Sequence, residues 1–92
     1  MKHWLIAYDI RDAKRLHKVE KCVESCAWRV QKSVFESDAP EEKISWLKTR
    51  VEYCIGEGDF VLFLDICEQD WQKRQHYGGD GQDAPDLPFL VL

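Results

Sequence analysis

Asp9 is the one carboxylate in an apolar run, His-Trp-Leu-Ile-Ala-Tyr-Asp-Ile over residues 3–10, and cations crowd the residues that follow it. Arg11, Lys14, Arg15 and Lys18 come at once, and Arg29 and Lys32 lie on a second β-prone stretch, Arg-Val-Gln-Lys-Ser-Val-Phe-Glu. Carboxylate oxygens suit hard divalent ions, and Lys and Arg suit phosphate. An acid at the end of a buried strand, ringed by cations, is therefore an arrangement that holds a metal ion beside a phosphodiester. Against this, Asp9 alone is a sparse ligand set and serves equally as the cap of the turn that follows the strand.

The charge distribution carries the same suggestion. The 92-residue chain has a formal net charge of -4, which argues against a general polyanion binder. Residues 1–35 nevertheless hold eight Lys/Arg against four Asp/Glu, net +4, and residues 36–92 hold five against thirteen, net -8. The basic footprint is local, and local potential steers a nucleic acid. The plainer alternative is a charged surface that only keeps the chain solvated.

The elements that would position these residues can be read from periodicity. Residues 3–10 hardly alternate, so both faces of the strand are covered and it lies centrally in its sheet. Asp12 stands where a helix N-cap belongs, and Leu16, Val19, Val23 and Cys26 follow at helical steps, predicting a helix over 13–27. Lys14 and Arg15 fall in its first turn, each at a cost of ~0.3–1 kcal/mol against the helix dipole, so a counterion such as phosphate is expected there. Residues 28–36 lose strict alternation around Gln31-Lys32-Ser33, consistent with a bulge, a bend or a tight hairpin.

A second helix is predicted over 38–55. Asp38 and Glu41 have capping-box spacing, and Ile44, Leu47, Val51, Cys54 and Ile55 form its apolar stripe. Gly56 is expected to end it, and Gly56-Glu57-Gly58 to turn into a strand over 59–67. A further short strand is expected over 72–77. If residues 28–37 supply two strands, the fold class is α+β, a ferredoxin-like βαββαβ domain over residues 1–77 with one or more extra C-terminal strands. Two helices on one side of such a sheet leave its other face open, and a second copy with its sheet facing the first is the simplest cover.

Residues 78–92 read as a flexible acidic linker and an apolar tail. Its last residues, Phe89, Leu90, Val91 and Leu92, are expected to bind a partner by adding to a sheet edge. Ninety-two residues make one domain. No secretory leader pattern and no bilayer-length apolar run is present, so the expectation is a cytoplasmic protein with no membrane association. Cys22, Cys26, Cys54 and Cys67 lack zinc-ribbon spacing, and Cys22 and Cys26 lie beside Val19 and Val23, where thiols act as small hydrophobes.

Ala7-Tyr8-Asp9-Ile10, the basic helix start and the Arg29–Glu36 string together resemble the CRISPR-associated endoribonuclease family, the smaller core protein of the spacer-acquisition module. The order of elements agrees over residues 1 to 77. The resemblance implies a ferredoxin-like homodimer in which Asp9 of both protomers binds Mg2+ for cleavage of RNA or DNA. It also implies that Tyr8, Lys18, Arg29 and Phe35 are linked to activity or nucleic-acid contact. Ala13 stands where the family often has a second acid, Leu16 and His17 interrupt the basic run, and Ala27-Trp28 replaces a common glycine.

Asp9 is accordingly the candidate catalytic and metal-binding residue, with Mg2+ or another divalent ion as cofactor. Lys14, Arg15, Lys18, Arg29 and Lys32 are the candidate nucleic-acid contacts, and Tyr8 and Phe35 are activity-linked candidates. Structural readings stand beside these: core packing for Tyr8 and Phe35, edge protection for Arg29 and Lys32. Three functions follow. One is a metal-dependent endonuclease that is also a component of the spacer-integration complex, with an integrase as partner protein. The second is a non-catalytic DNA-binding bridge in that complex. The third is a toxin-type ribonuclease of similar fold.

Overall fold

The computed structural model describes residues 2–75. The expected linker and apolar tail, including Phe89–Leu92, lie outside the described residues.

Strand β1 (His3–Asp9) is followed by helix α1 (Ala13–Glu24), strands β2 (Trp28–Gln31) and β3 (Val34–Ser37), helix α2 (Glu41–Cys54), strand β4 (Phe60–Ile66) and a short helix α3 (Glu68–Lys73). The four strands form one sheet in the order β2-β3-β1-β4, every neighbouring pair antiparallel. This is the ferredoxin-like arrangement expected from the sequence. β1 is central because its side chains are apolar on both faces: His3 to Tyr8 are all buried.

Alternation along β1 divides the core. Ile6, Tyr8 and Ile10 pack with Val19 and Val23 of α1 and with Leu47 and Val51 of α2. Leu5 and Ala7 point the other way and pack with Val34, Leu62 and Ile66. The first set lies under the helices and the second on the opposite face of the sheet.

The hairpin between β2 and β3 turns through Lys32 and Ser33, and its register shifts between Arg29 and Gln31. A tight hairpin and a bulge are therefore both present. Val30 is the extra residue, which explains the broken alternation.

The helix ends differ from expectation in ways that local hydrogen bonds explain. α1 begins as read, with Asp12 accepting from the Arg15 amide at 2.9 Å. It stops at Glu24, short of 27, because the Ser25 hydroxyl and amide both bond back to the Cys22 carbonyl. α2 is not capped by Asp38. Pro40 occupies the cap position without a side-chain bond, and Asp38 lies too early to reach the first turn. Ser37 organises this junction instead, donating to the Cys26 carbonyl at 2.6 Å and accepting from the Ala39 amide at 3.1 Å. α2 ends on Ile55 in an extended conformation rather than on a left-handed Gly56, and the left-handed residue of the following turn is Gly58, φ 86°.

Residues 72 and 73, read as the start of a strand, lie in α3. Glu68 and Asp70 favour its N-terminus through the dipole, and its buried Trp71 anchors it, a long-range contact that local pattern does not show. Trp71 stacks on His3 with ring centroids 4.3 Å apart and meets Trp28 edge-on at 6.1 Å. Arg74 closes over Trp71, 3.6 Å from its centroid, and donates to Glu36 at 2.9 Å. Because His3, Trp28 and Glu36 all lie on the helix-free face, α3 covers part of that face, at the end of β1 remote from Asp9.

Candidate functional site

The local sequence of β1 delivers Asp9 to the end of the central strand. It continues the Leu5–Ala7 row, so it faces the helix-free side, and it is exposed. Opposite it on β4 is Phe60, followed on the same face by Leu62, Leu64 and Ile66. Phe60 and Leu64 are partly exposed, as is Trp28 at the other side of the sheet. A carboxylate at the margin of an unfinished apolar surface is the geometry from which the site is built.

The same end of the sheet collects the early cations. α1 begins at Ala13, just after the end of β1, and carries Lys14, Arg15 and Lys18, and the β2–β3 turn carries Lys32. That turn is pinned to β1 by the Tyr8 amide, which donates to the Ser33 carbonyl at 3.1 Å. Asp9, the start of α1 and Lys32 are thus brought together by topology although up to 23 positions separate them in the chain.

The candidate cations are not alike. Arg15 already has a carboxylate partner: its Nε donates to Asp59 at 2.7 Å, and Asp59, only 4 % exposed, also accepts from the Gly56 amide at 2.8 Å. Bonds from Arg15 and Gly56 hold the Asp59 carboxyl below its ordinary pKa. A methyl group on Gly56 would come within 3.0 Å of the guanidinium, so glycine there lets Arg15 lie across the α2–β4 turn. The counterion expected for Arg15 at the helix start is therefore supplied by Asp59. Arg29 is engaged too, donating to Glu20 at 3.1 Å and lying 3.6 Å from Glu24. Lys14, Lys18 and Lys32 make no side-chain ion pair among the described residues and are exposed.

Tyr8, Arg29 and Phe35 do come together, but beneath the helices and not beside Asp9. The Arg29 guanidinium lies 4.8 Å from the Phe35 ring centroid, and Tyr8 and Phe35 rings are 6.1 Å apart. The Tyr8 hydroxyl donates to Glu20 at 2.8 Å. Burial, and then the bond to the Glu20 carboxylate, push the Tyr8 pKa far up, so the phenol stays protonated. Burial opposes ionisation of Glu20, yet bonds from Tyr8 and Arg29 outweigh it and lower its pKa. Arg29 also donates to the Lys32 carbonyl, so this cluster holds the β2–β3 turn in place. Sequence pattern does not mark Glu20. Its one signal is that of an acid on the helix flank that would face the polar tip of Tyr8.

Among the described residues no group of three or more His, Cys, Asp or Glu side chains could hold a metal ion. Of the candidate site residues, Asp9 alone carries a carboxylate. Mg2+ accommodates such a sparse set, since it keeps several waters and commonly takes one or two carboxylates together with substrate phosphates. The donor chemistry fits if two copies each contribute Asp9. No helix among the described residues is long and apolar enough to cross a membrane.

The fold and the strand-end acid define a ferredoxin-like α+β protein with an exposed carboxylate where its central strand ends on the helix-free face. A model of the family described as CRISPR associated protein Cas2 matches residues 1–74, and the chain belongs to that family. It is 44% identical to the "CRISPR-associated endoribonuclease Cas2 2" of a Synechocystis strain, over all of both chains. It is 41% identical to the "CRISPR-associated endoribonuclease Cas2 1" of Moorella thermoacetica, over 95% of this chain and 97% of the relative. The crystal structure of Streptococcus pyogenes Cas2 superposes with a TM-score of 0.72 at 30% identity, covering 84% of this chain and 99% of that one.

Proposed function

We propose that this protein is a CRISPR adaptation protein that acts as a dimeric, metal-dependent endonuclease on RNA or DNA. The observation that carries this reading is Asp9, exposed at the end of the central strand on the face of the sheet that the two long helices leave open. The relatives named as endoribonucleases support the activity, and the partly exposed Trp28, Phe60 and Leu64 support a second copy on that face. Two-fold pairing turns one acid per chain into two per site.

In this reading Asp9 of each protomer would hold Mg2+, and the metal when bound would supply Lewis-acid chemistry to the phosphodiester. Lys14, Lys18 and Lys32 receive the flanking phosphates. Arg15 and Arg29 contribute mainly by fixing the start of α1 and the β2–β3 turn that carry those lysines. Tyr8 and Phe35 act as positioning residues, through the Glu20–Arg29 cluster that holds the turn against β1.

The test is cleavage of labelled single-stranded RNA and double-stranded DNA by purified protein, with Mg2+ and with EDTA, for the parent and for Asp9→Asn. Loss of cleavage in both EDTA and Asp9→Asn supports the reading, and equal rates in parent and Asp9→Asn refute it. The bridge reading draws on a different observation: no group of three or more His, Cys, Asp or Glu side chains among the described residues could hold a metal ion. It expects integration by a partner integrase to continue with Asp9→Asn and to fail when residues 87–92 are removed.

A further inference from the structure

The outward side of α2 carries Lys43, Trp46, Arg50 and Tyr53 at alternating steps of three and four, which places them on one stripe. The buried stripe of the same helix is Ile44, Leu47 and Val51, so these four point away from the core. Trp46 is 45% exposed and Tyr53 86% exposed, unusual for aromatic rings on a helix that has a complete apolar face elsewhere. Lys43 lies 5.3 Å and Arg50 5.9 Å from the centroid of Trp46, on the turns before and after it. Neither cation makes an ion pair among the described residues, whereas Lys2, Arg15, Arg29 and Arg74 all do.

We propose that this stripe is a stacking platform for single-stranded nucleic acid, with Trp46 and Tyr53 taking bases and Lys43 and Arg50 taking the phosphates beside them. The proposal rests on the nucleic-acid reading above but not on Asp9 or on dimerisation. Alternating aromatic and cationic groups match the alternating base and phosphate of a single strand. A duplex keeps its base faces stacked and offers none to Trp46. An apolar protein surface would bury Lys43 and Arg50 without a countercharge, and lysine is depleted from such interfaces. Trp46 and Tyr53 are two turns apart, about 10.5 Å along the axis, a span that a stretched strand covers in one or two nucleotides. Glu42 is the one acid on this side of the helix and opposes the phosphates, while Glu41 on another flank is engaged by Lys2 at 3.2 Å.

The experiment measures binding of the full chain to fluorescein-labelled oligothymidylate of about ten nucleotides, within the usual site size, and to a blunt duplex of the same length. Trp46→Ala/Tyr53→Ala is expected to lose roughly tenfold or more of single-strand affinity, with salt dependence and duplex binding unchanged. Lys43→Ala/Arg50→Ala is expected to flatten the salt slope by about 1.4 on the single strand, ~0.7 for each phosphate no longer neutralised. Glu42→Gln is expected to raise affinity, and Trp46→Phe to restore most of the loss. Photocrosslinking of the parent to a bromouridine-containing strand reads the same contact without any variant, with adducts expected on Trp46 or Tyr53. Single-strand affinity within twofold of the parent in the aromatic double variant, or adducts confined to α1 and the β2–β3 turn, would overturn the proposal. Loss of binding to a partner protein with oligonucleotide affinity intact would also overturn it and make the stripe a protein-docking surface. A parent that binds duplex but no single strand ends this proposal alone, and a parent that binds neither ends the nucleic-acid reading with it.

Discussion

Tyr8 and Asp9 are neighbours in the chain and lie on opposite faces of the sheet. The Tyr8 hydroxyl is buried under the helices with Glu20 at 2.8 Å, and Asp9 is exposed on the helix-free side. One peptide unit separates a residue that holds the fold from the residue proposed to hold a metal, because strand side chains alternate. Substitutions at the two positions should therefore have opposite signatures.

Asp9→Asn preserves size and removes an exposed charge, so stability should change by no more than about 0.5 kcal/mol. Mg2+-dependent cleavage should drop to background while binding to nucleic acid is kept or improved. Single-turnover cleavage assays beside anisotropy titrations check both halves.

Tyr8→Phe removes the donor to an ionised carboxylate and should cost about 1.5 kcal/mol, the range for a hydrogen bond to a charged group. Urea denaturation measures this. Cleavage by the folded fraction should remain within a few-fold of the parent. A fall as deep as that of Asp9→Asn at unchanged stability would place Tyr8 at the reacting atoms instead.

Stability should fall in acid through Asp59 and Glu20. Both have pKa values lowered by folding, so the unfolded chain takes up protons first. Their contribution is complete above the unfolded carboxyl range, about 4, and is lost as pH falls below it through the folded values. The urea midpoint of the parent should therefore decline below about pH 4. Asp59→Asn should flatten that decline while lowering stability near neutrality, since Arg15 loses its ionised partner.

Charge reversal at Lys14 and Lys18 should weaken duplex binding and reduce the salt slope by about 0.9 for each phosphate that the variant no longer neutralises. Reversal at Arg15 is a different experiment. It sets a carboxylate against Asp59 and should lower the melting temperature as well. Comparing slopes with melting curves separates the two kinds of cation.

The parent should sediment as a dimer at micromolar concentration, and Phe60→Glu/Leu64→Glu should sediment as a monomer. Both residues are partly exposed on the face that bears Asp9, so the variant adds charge to the surface a second copy would cover. A monomeric parent would remove the paired-acid site.

By itself the sequence determined the two long helices, the central position of β1 and the Asp12 cap, while the ferredoxin-like order depended on residues 28–37 giving two strands. Each depends on neighbours within a few residues, through alternation, helical period and cap chemistry. It also marked Asp9 as the strand-end acid, because one charge in an apolar run stands out. Which cations are free to meet a phosphate was decided only by tertiary structure. Arg15 meets Asp59 and Arg29 meets Glu20 across 44 and 9 positions, and no local pattern reports such partners. α3 is illegible in the sequence for the same reason, since one buried residue, Trp71, stacks on His3 from the far end of the chain. Local chemistry chooses the elements, but the burial that pairs one side chain with another belongs to the whole chain and exists only once the elements are packed.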